Sequence, residues 1–143
     1  MHRPLTYLAV FTTLALGTSA HATDGKAVYG TWLTESGSAV VAITDCGNAT
    51  PCGTIIRLTG TEDQGALDTA NPDPDMAKKP LVGAPMLWGF KPKKKKWSSG
   101  KIYNAENGKT YKSKLELQDD GTLEVKGCVG PICQAQVWTA AAE

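Results

Sequence analysis

The segment KTYKSKLELQDDGTLEVK, residues 109–126, alternates apolar and charged side chains on both sides of a turn signal. Alternate residues of a β-strand share one face, so this pattern is typical of half-buried strands. The dipeptide Asp120-Gly121 between the two runs is typical of a tight hairpin turn. The residues predicted on the buried face are Tyr111, Ser113, Leu115, Leu117, Leu123 and Val125. The segment therefore predicts two antiparallel strands.

Short β-type runs divided by Gly, Asn and Asp continue through the rest of the chain, without a convincing helical stripe. The eight predicted strands are 28–33, 38–44, 53–58, 86–90, 97–103, 109–118, 122–128 and 134–140. Eight strands in a meander leave two unpaired edge strands unless the sheet closes on itself. The pattern therefore predicts an all-β, eight-stranded antiparallel up-and-down barrel. The residues expected inside it are Trp32, Ile43, Ile55, Ile102, Tyr111, Leu115, Leu117, Leu123, Val125 and Val137.

Residues 1–22 have the pattern of a signal peptide. A basic residue, Arg3, precedes an apolar span over 5–16, and small residues follow up to Ala22. The span is shorter than the roughly 20 residues that a membrane-spanning helix needs. Cleavage after Ala22 would leave residues 23–143 as one domain in the periplasm or outside the cell, with no transmembrane segment.

Loss of this segment also changes the chemistry available to the chain. Both histidines, His2 and His21, lie within it, and removal of Arg3 leaves 14 basic against 14 acidic residues. A net charge near zero argues against nucleic-acid binding. Without imidazole the usual catalytic triads and most metal sites are missing, so we expect no enzyme activity, catalytic residue, metal or cofactor. A hydrolase with paired carboxylates is a less favoured alternative, because the acidic residues lie mainly on turns or outward faces.

The four cysteines, Cys46, Cys52, Cys128 and Cys133, predict two structural disulfides in an oxidising compartment. Four cysteines allow three pairings. The meander places the first two in the second connection and the last two in the seventh, at opposite ends of the barrel. Because a disulfide has a short reach, this topology favours the local pairs, Cys46 with Cys52 and Cys128 with Cys133.

Several motifs carry a family resemblance. They are Gly30-Thr31-Trp32, Asp68, Asn71-Pro72, Pro80-Leu81-Val82-Gly83, Gly100-Lys101-Ile102-Tyr103-Asn104, Gly108-Lys109-Thr110-Tyr111, Gly127 and Val137-Trp138-Thr139. This series resembles the bacterial secreted family catalogued as domain of unknown function 2147. The resemblance implies a lipocalin-like barrel exported from Gram-negative cells, with no established activity and with Trp32 closing one end. The sequence departs from the family pattern at Ala140, where an arginine is usual, in its four cysteines and in its long lysine run.

The connection over residues 59–85 is the main irregular segment, and long loops in compact domains are often binding loops. The meander places it at the same end as the turns at Ser36, Asn107 and Gly130. We expect it to cover a mouth that takes a small apolar or amphipathic ligand. The candidate ligand-contacting residues are Trp32, Asp68, Asn71, Trp97, Tyr103 and Tyr111. The alternatives are that the aromatic residues pack the core and that Asp68 and Asn71 anchor the loop backbone.

Lys93, Lys94, Lys95 and Lys96 form a basic run predicted at the opposite end. Such a run could contact an anionic lipid surface, and the alternative is a solvated turn that discourages edge aggregation. A barrel filled by its own side chains would instead act through its surface, as a protein-interaction or envelope-stress factor. The sequence leaves the choice between these functions, and the oligomeric state, open.

Overall fold

The computed structural model describes residues 27–60 and 63–142, which form an all-β structure. Its strands are β1 Gly30–Leu33, β2 Ala39–Asp45, β3 Pro51–Leu58, β4 Pro85–Trp88, β5 Lys91–Lys93, β6 Lys96–Asn104, β7 Lys109–Leu117, β8 Leu123–Val129 and β9 Ile132–Ala140. A single turn of 3-10 helix covers Met76–Lys78. The predicted signal peptide over 1–22 and both histidines lie outside the described residues.

Eight of these strands close into the predicted barrel. Each strand pairs antiparallel with its neighbours in the order β4-β3-β2-β1-β9-β8-β7-β6, and pairing of β4 with β6 completes the ring. The short strand β5 is an addition that the sequence did not predict. It folds back on the start of β6, with Lys93 opposite Lys96. A run of lysines has no apolar alternation, which is why the pattern gave no sign of it.

The hairpin of β7 and β8 forms as the alternation predicts. Leu115 lies opposite Val125 and Leu117 opposite Leu123, all on the inner face. The backbone N–H of Gln118 closes the turn by donating to the carbonyl of Thr122 at 2.8 Å. The hairpin therefore supplies two walls of the core.

The core is built from the inner faces of the strands. Its buried members are Val28, Trp32, Ala39, Val41, Ile43, Ile55, Leu58, Ala84, Leu87, Phe90, Trp97, Ile102, Leu115, Leu123, Val125 and Trp138. A Cβ atom added at Gly100 would lie 2.2 Å from the ring of Phe90, and one at Gly53 would lie 3.0 Å from Leu87 and Val41. At these points the side chains of the barrel fill its own interior.

The predicted interior is confirmed except at one position. Tyr111 and Leu117 are half-buried against the core, whereas Val137 is 48% exposed and its neighbour Trp138 is fully buried. Val137 was therefore a wrong assignment. Trp138 lies opposite Leu123 in the β8–β9 ladder, so Trp138 shares the inner face and Val137 takes the outer one. Gln134 and Gln136 lie on the same side of β9 as Trp138. Because both are polar, the sequence pattern does not identify this side as the inner one.

Both disulfides join the predicted local pairs. Cys46 and Cys52 bridge the connection between β2 and β3, with their Cα atoms 5.7 Å apart. Cys128 and Cys133 lie directly opposite each other across β8 and β9, with their Cα atoms 4.0 Å apart. Each bridge therefore fastens neighbouring strands at one hairpin.

Candidate functional site

The long connection between β3 and β4, residues 59–84, is tied to the barrel at both of its ends. The side-chain amide of Gln64 donates to the carbonyl of Leu58 and accepts from its backbone N–H. At the other end, the backbone N–H of Gly83 donates to the carbonyl of Ile55 in β3 at 2.7 Å. Ala66, Leu81 and Val82 also pack against the core. The two ends of the loop therefore cover one end of the barrel.

The middle of the loop is held by the buried carboxylate of Asp68. This carboxylate accepts hydrogen bonds from the Tyr103 hydroxyl at 2.6 Å and from the side-chain amide of Asn71 at 2.7 Å. Burial and then the adjacent Asp68 carboxylate, which accepts the hydroxyl proton, raise the pKa of Tyr103 to about 12. Asp68 and Asn71 thus hold the loop in place, and their contact with a ligand stays a prediction.

A second contact fixes where the loop lies. The turn between β6 and β7 approaches the loop so closely that a Cβ atom at Gly108 would lie 1.8 Å from the carbonyl oxygen of Ala70. Gly108 also has a φ of 69°, a conformation that side chains disfavour. The loop and the turn at Asn107 therefore lie at the same end of the barrel, as the meander predicts.

The six predicted ligand contacts lie on two sides of the barrel wall. Tyr103 follows the inward Ile102 and faces outward beneath the loop, together with Asp68 and Asn71. The other three are Trp32 and Trp97, which are buried in the core, and Tyr111, which is half-buried on the inner face. The structure thus brings together three of the six, and it places the middle of the loop on the outer wall.

A cavity of about 210 Å³ lies between the loop and this outer wall. Its lining residues are Asp68, Asn71, Pro72, Met76, Ala84, Pro85, Trp88, Tyr103, Gly108 and Thr110. Ligand sites in proteins usually have volumes of roughly 300–1,000 Å³. The cavity beneath the loop is therefore small for a ligand site.

A larger groove, of about 760 Å³, lies on the outer face of β1, β2 and β3 beside the end of β9. Its lining residues are Thr31, Leu33, Gly37, Val40, Ile56, Arg57, Thr59, Ala140, Ala141 and Ala142. Val40 is buried within it, and Ile56 is exposed. The groove therefore combines an apolar lining with one cationic side chain, that of Arg57. Its volume is in the range of ligand sites.

A β-bulge in β3 places the side chain of Arg57 in this groove. Val40 pairs with Arg57 and Val41 with Ile55, so Ile56 is an extra residue in the β3 ladder. A bulge of this kind lets two consecutive side chains share a face, and both Ile56 and Arg57 are exposed. None of the three ion pairs formed by the described residues includes Arg57. Sequence reasoning missed this residue, although it is the one arginine that follows the predicted signal peptide.

The lysine run forms the tip of the β5–β6 hairpin. Lys93, Lys94 and Lys95 are exposed, and Lys94 has a φ of 54° in the turn. Lys96 lies 3.8 Å from the carboxylate of Glu116. The tip therefore projects three cations without an ion pair among the described residues.

Residues 27–60 and 63–142 contain no group of three or more His, Cys, Asp or Glu side chains placed to hold a metal ion. In the same part of the chain, no helix has the length and apolar character that a membrane crossing requires.

The closed antiparallel ring, filled by its own side chains and capped by a long loop, defines a small lipocalin-like barrel. The chain belongs to the family described as "Uncharacterized protein conserved in bacteria (DUF2147)", whose model matches residues 30–140. Its fold is similar to that of protein HP1028 from Helicobacter pylori, described as belonging to the lipocalin family. The two share 20% sequence identity with a TM-score of 0.71, over 82% of this chain and 85% of that one. No curated protein matches the chain.

Proposed function

We propose that this protein is an exported, non-catalytic binding protein for an anionic amphiphile, a molecule with an apolar chain and one acidic head group. The lipocalin-like fold supports a binding role in general terms, since such barrels commonly hold small molecules. Two disulfides support a location in an oxidising compartment, the periplasm or the exterior. The predicted signal peptide over 1–22 agrees with export.

The observation that carries this proposal is the guanidinium of Arg57 at an apolar groove, where it has no ion-pair partner among the described residues. Ile56 and Leu33 offer an apolar surface to a hydrocarbon chain, while Arg57 offers two parallel N–H donors to a carboxylate or phosphate. Thr31 adds a hydroxyl group along the same groove, whereas the Thr59 hydroxyl already donates to the carbonyl of Gly37. The chemistry of the lining thus favours a ligand that is apolar along its length and negative at one end.

The packing of the interior supports the outer groove over the barrel centre as the binding site. Trp32, Phe90, Trp97 and Trp138 occupy the core and are almost inaccessible to solvent. A ligand in the centre would have to displace these rings, and dense interiors resist such changes. Binding in the outer groove requires no repacking of the core.

Dodecanoate, titrated below its micelle concentration and followed by calorimetry, tests the proposal. We expect saturable binding to the oxidised protein, with an affinity about tenfold lower for Arg57→Gln and close to normal for Arg57→Lys. Dodecanol lacks the negative charge, so its binding should not distinguish the Arg57→Gln variant from the unchanged protein. Equal dodecanoate affinity in all three proteins would contradict the role of Arg57.

A matched pair of bulky substitutions locates the ligand. Ala141→Trp fills the groove and should abolish dodecanoate binding, whereas Thr110→Trp fills the cavity beneath the loop and should leave it unchanged. The reverse result would place the ligand under the loop. Native mass spectrometry of protein purified from the periplasm would then show whether an amphiphile is retained, and its mass would identify the class.

The lysine tip supports a second candidate function, contact with an anionic lipid surface. Lys93 faces Lys96 across the hairpin, so like charges are held together at one exposed point. Each cation near an anionic membrane contributes about 1 kcal/mol of binding free energy. Flotation with phosphatidylglycerol vesicles at low and high salt tests this function. Absence of binding at low salt would eliminate it.

A further inference from the structure

Among the residues that the structure describes, β9 lacks a neighbouring strand along most of one side. β1 pairs with it only through Trp32 opposite Ala140 and Leu33 opposite Thr139. Within residues 27–60 and 63–142, no other strand pairs with this side of β9. Every residue from Ile132 to Val137 is exposed. The barrel therefore has an unpaired strand edge over residues 132–137, next to the short pairing of β1 with β9.

The backbone groups along this edge can be identified from one contact. The N–H of Val137 points away from β8, because it donates to the Glu35 carboxylate at 2.5 Å. Residues two apart on a strand direct their N–H and C=O groups to the same side. Cys133 and Ala135 therefore also point away from β8, and none of their N–H and C=O groups has a partner among the described residues.

Apart from the Glu35 carboxylate at Val137, this edge lacks the charged side chains that usually protect an exposed strand. Exposed edges are commonly blunted by charged side chains. Residues 127–142 contain no Asp, Glu, Lys or Arg, although 20% of the whole chain is charged. Val129 and Ile132, on either side of the Gly130-Pro131 turn, are 68% and 77% exposed. The disulfide between Cys128 and Cys133 holds this hairpin in shape.

We propose that this edge pairs antiparallel with the same edge of a second copy of the chain, forming a two-fold symmetric dimer with a continuous sheet. A register centred on Gln134 satisfies all the free groups at once. Cys133 of each copy would exchange both hydrogen bonds with Ala135 of the other, which is the narrow-spaced pairing of antiparallel strands.

The side chains of the edge fit a second copy of this chain better than a charged partner. In this register Gln134 faces Gln134 of the second copy, and the two amides can donate to each other. Ile132 faces Gln136 of the second copy, so its exposed surface becomes partly covered. Because the segment is uncharged, two identical edges meet without like-charge repulsion, as a self-complementary interface requires.

Sedimentation velocity of the oxidised protein over a range of concentrations tests this inference. We expect a monomer–dimer equilibrium whose dissociation constant rises at least tenfold in Ala135→Pro. This substitution removes two hydrogen bonds of the dimer, one from each copy, and none of the β8–β9 ladder, because the Ala135 N–H faces away from β8. Gln134→Lys should act similarly by placing two cations face to face, whereas Thr44→Lys, at an exposed position of β2, should not.

Cross-linking tests the register directly. Gln134→Cys places two thiols opposite each other at the symmetry axis, so oxidation should give a covalent dimer, whereas Thr110→Cys, at an exposed position of β7, should remain monomeric on a denaturing gel. Circular dichroism of each variant shows whether it retains the fold. A wild-type protein that is monomeric at all concentrations tested, or a dimer insensitive to both edge substitutions, would overturn the inference. Both readouts are independent of ligand, so they are separate from the tests of the groove.

Discussion

The hydroxyl of Tyr103 donates a 2.6 Å hydrogen bond to the buried carboxylate of Asp68, a residue 35 positions earlier in the chain. This contact joins β6 to the middle of the long loop. Since Asp68 also accepts from Asn71, one carboxylate organises both the loop's own turn and its attachment to the barrel. The loop is therefore a fixed part of the wall along this stretch.

Removal of the Tyr103 hydroxyl should loosen the loop. In Tyr103→Phe the Asp68 carboxylate remains buried with one donor fewer, and such a loss costs about 1–3 kcal/mol of stability. Urea unfolding would measure the loss, and hydrogen exchange would show weaker protection at Asp68 and Asn71. Tyr111→Phe is the matched control, because the Tyr111 hydroxyl accepts an exposed hydrogen bond from Asn107. Equal losses in the two variants would refute the special role of Tyr103.

Tyr103 should also make stability depend on alkaline pH. Its pKa in the folded state is raised to about 12 from an ordinary value of 10.0, so folding favours the protonated hydroxyl. The stability that it contributes is complete below pH 10 and is lost as the pH rises from 10 toward 12. Tyrosinate absorbance of the folded protein should show a late ionisation that is absent in Tyr103→Phe. A Tyr103 that ionises at its ordinary pKa would contradict this prediction.

Gly108 should tolerate no side chain. Gly108→Ala introduces a methyl group into the space of the Ala70 carbonyl and also strains a left-handed backbone, which alone costs about 1–3 kcal/mol. Gly121→Ala is the matched control, because Gly121 has a φ of 84° with open space around it. Thermal unfolding should show a larger loss for Gly108→Ala, together with faster proteolysis of the loop. A loss no larger than that of the control would mean that the contact with Ala70 relaxes freely.

The orientation of β9 can be tested at two neighbouring positions. Trp138→Ala empties a large volume of the core and should cost about 3–5 kcal/mol, whereas Val137→Ala, on the exposed face, should cost about 0.5 kcal/mol or less. Chemical unfolding of both variants gives the comparison. A larger loss at Val137 would restore the original sequence prediction.

The sequence determined the class of this fold because its information is local. Alternation around Leu115 and Leu123 reports a half-buried strand without reference to any other part of the chain. The turn residues indicate that strands adjacent in sequence pair antiparallel. Eight strands arranged in this way then predict a sheet that closes into a barrel. The same order of connections gave the local cysteine pairs, since Cys46 and Cys128 fall at opposite ends of a meander.

Other features depended on contacts between distant strands, and only the tertiary structure decided them. The inward side of β9 follows from its register with β8, which is why Trp138 and not Val137 enters the core. The bulge that brings Arg57 to the groove arises from a mismatch between β2 and β3. The open edge around Ala135 exists because β1 is too short to cover β9. Alternation specifies that a strand has two faces, but pairing and closure decide which face is inside and which edge stays free.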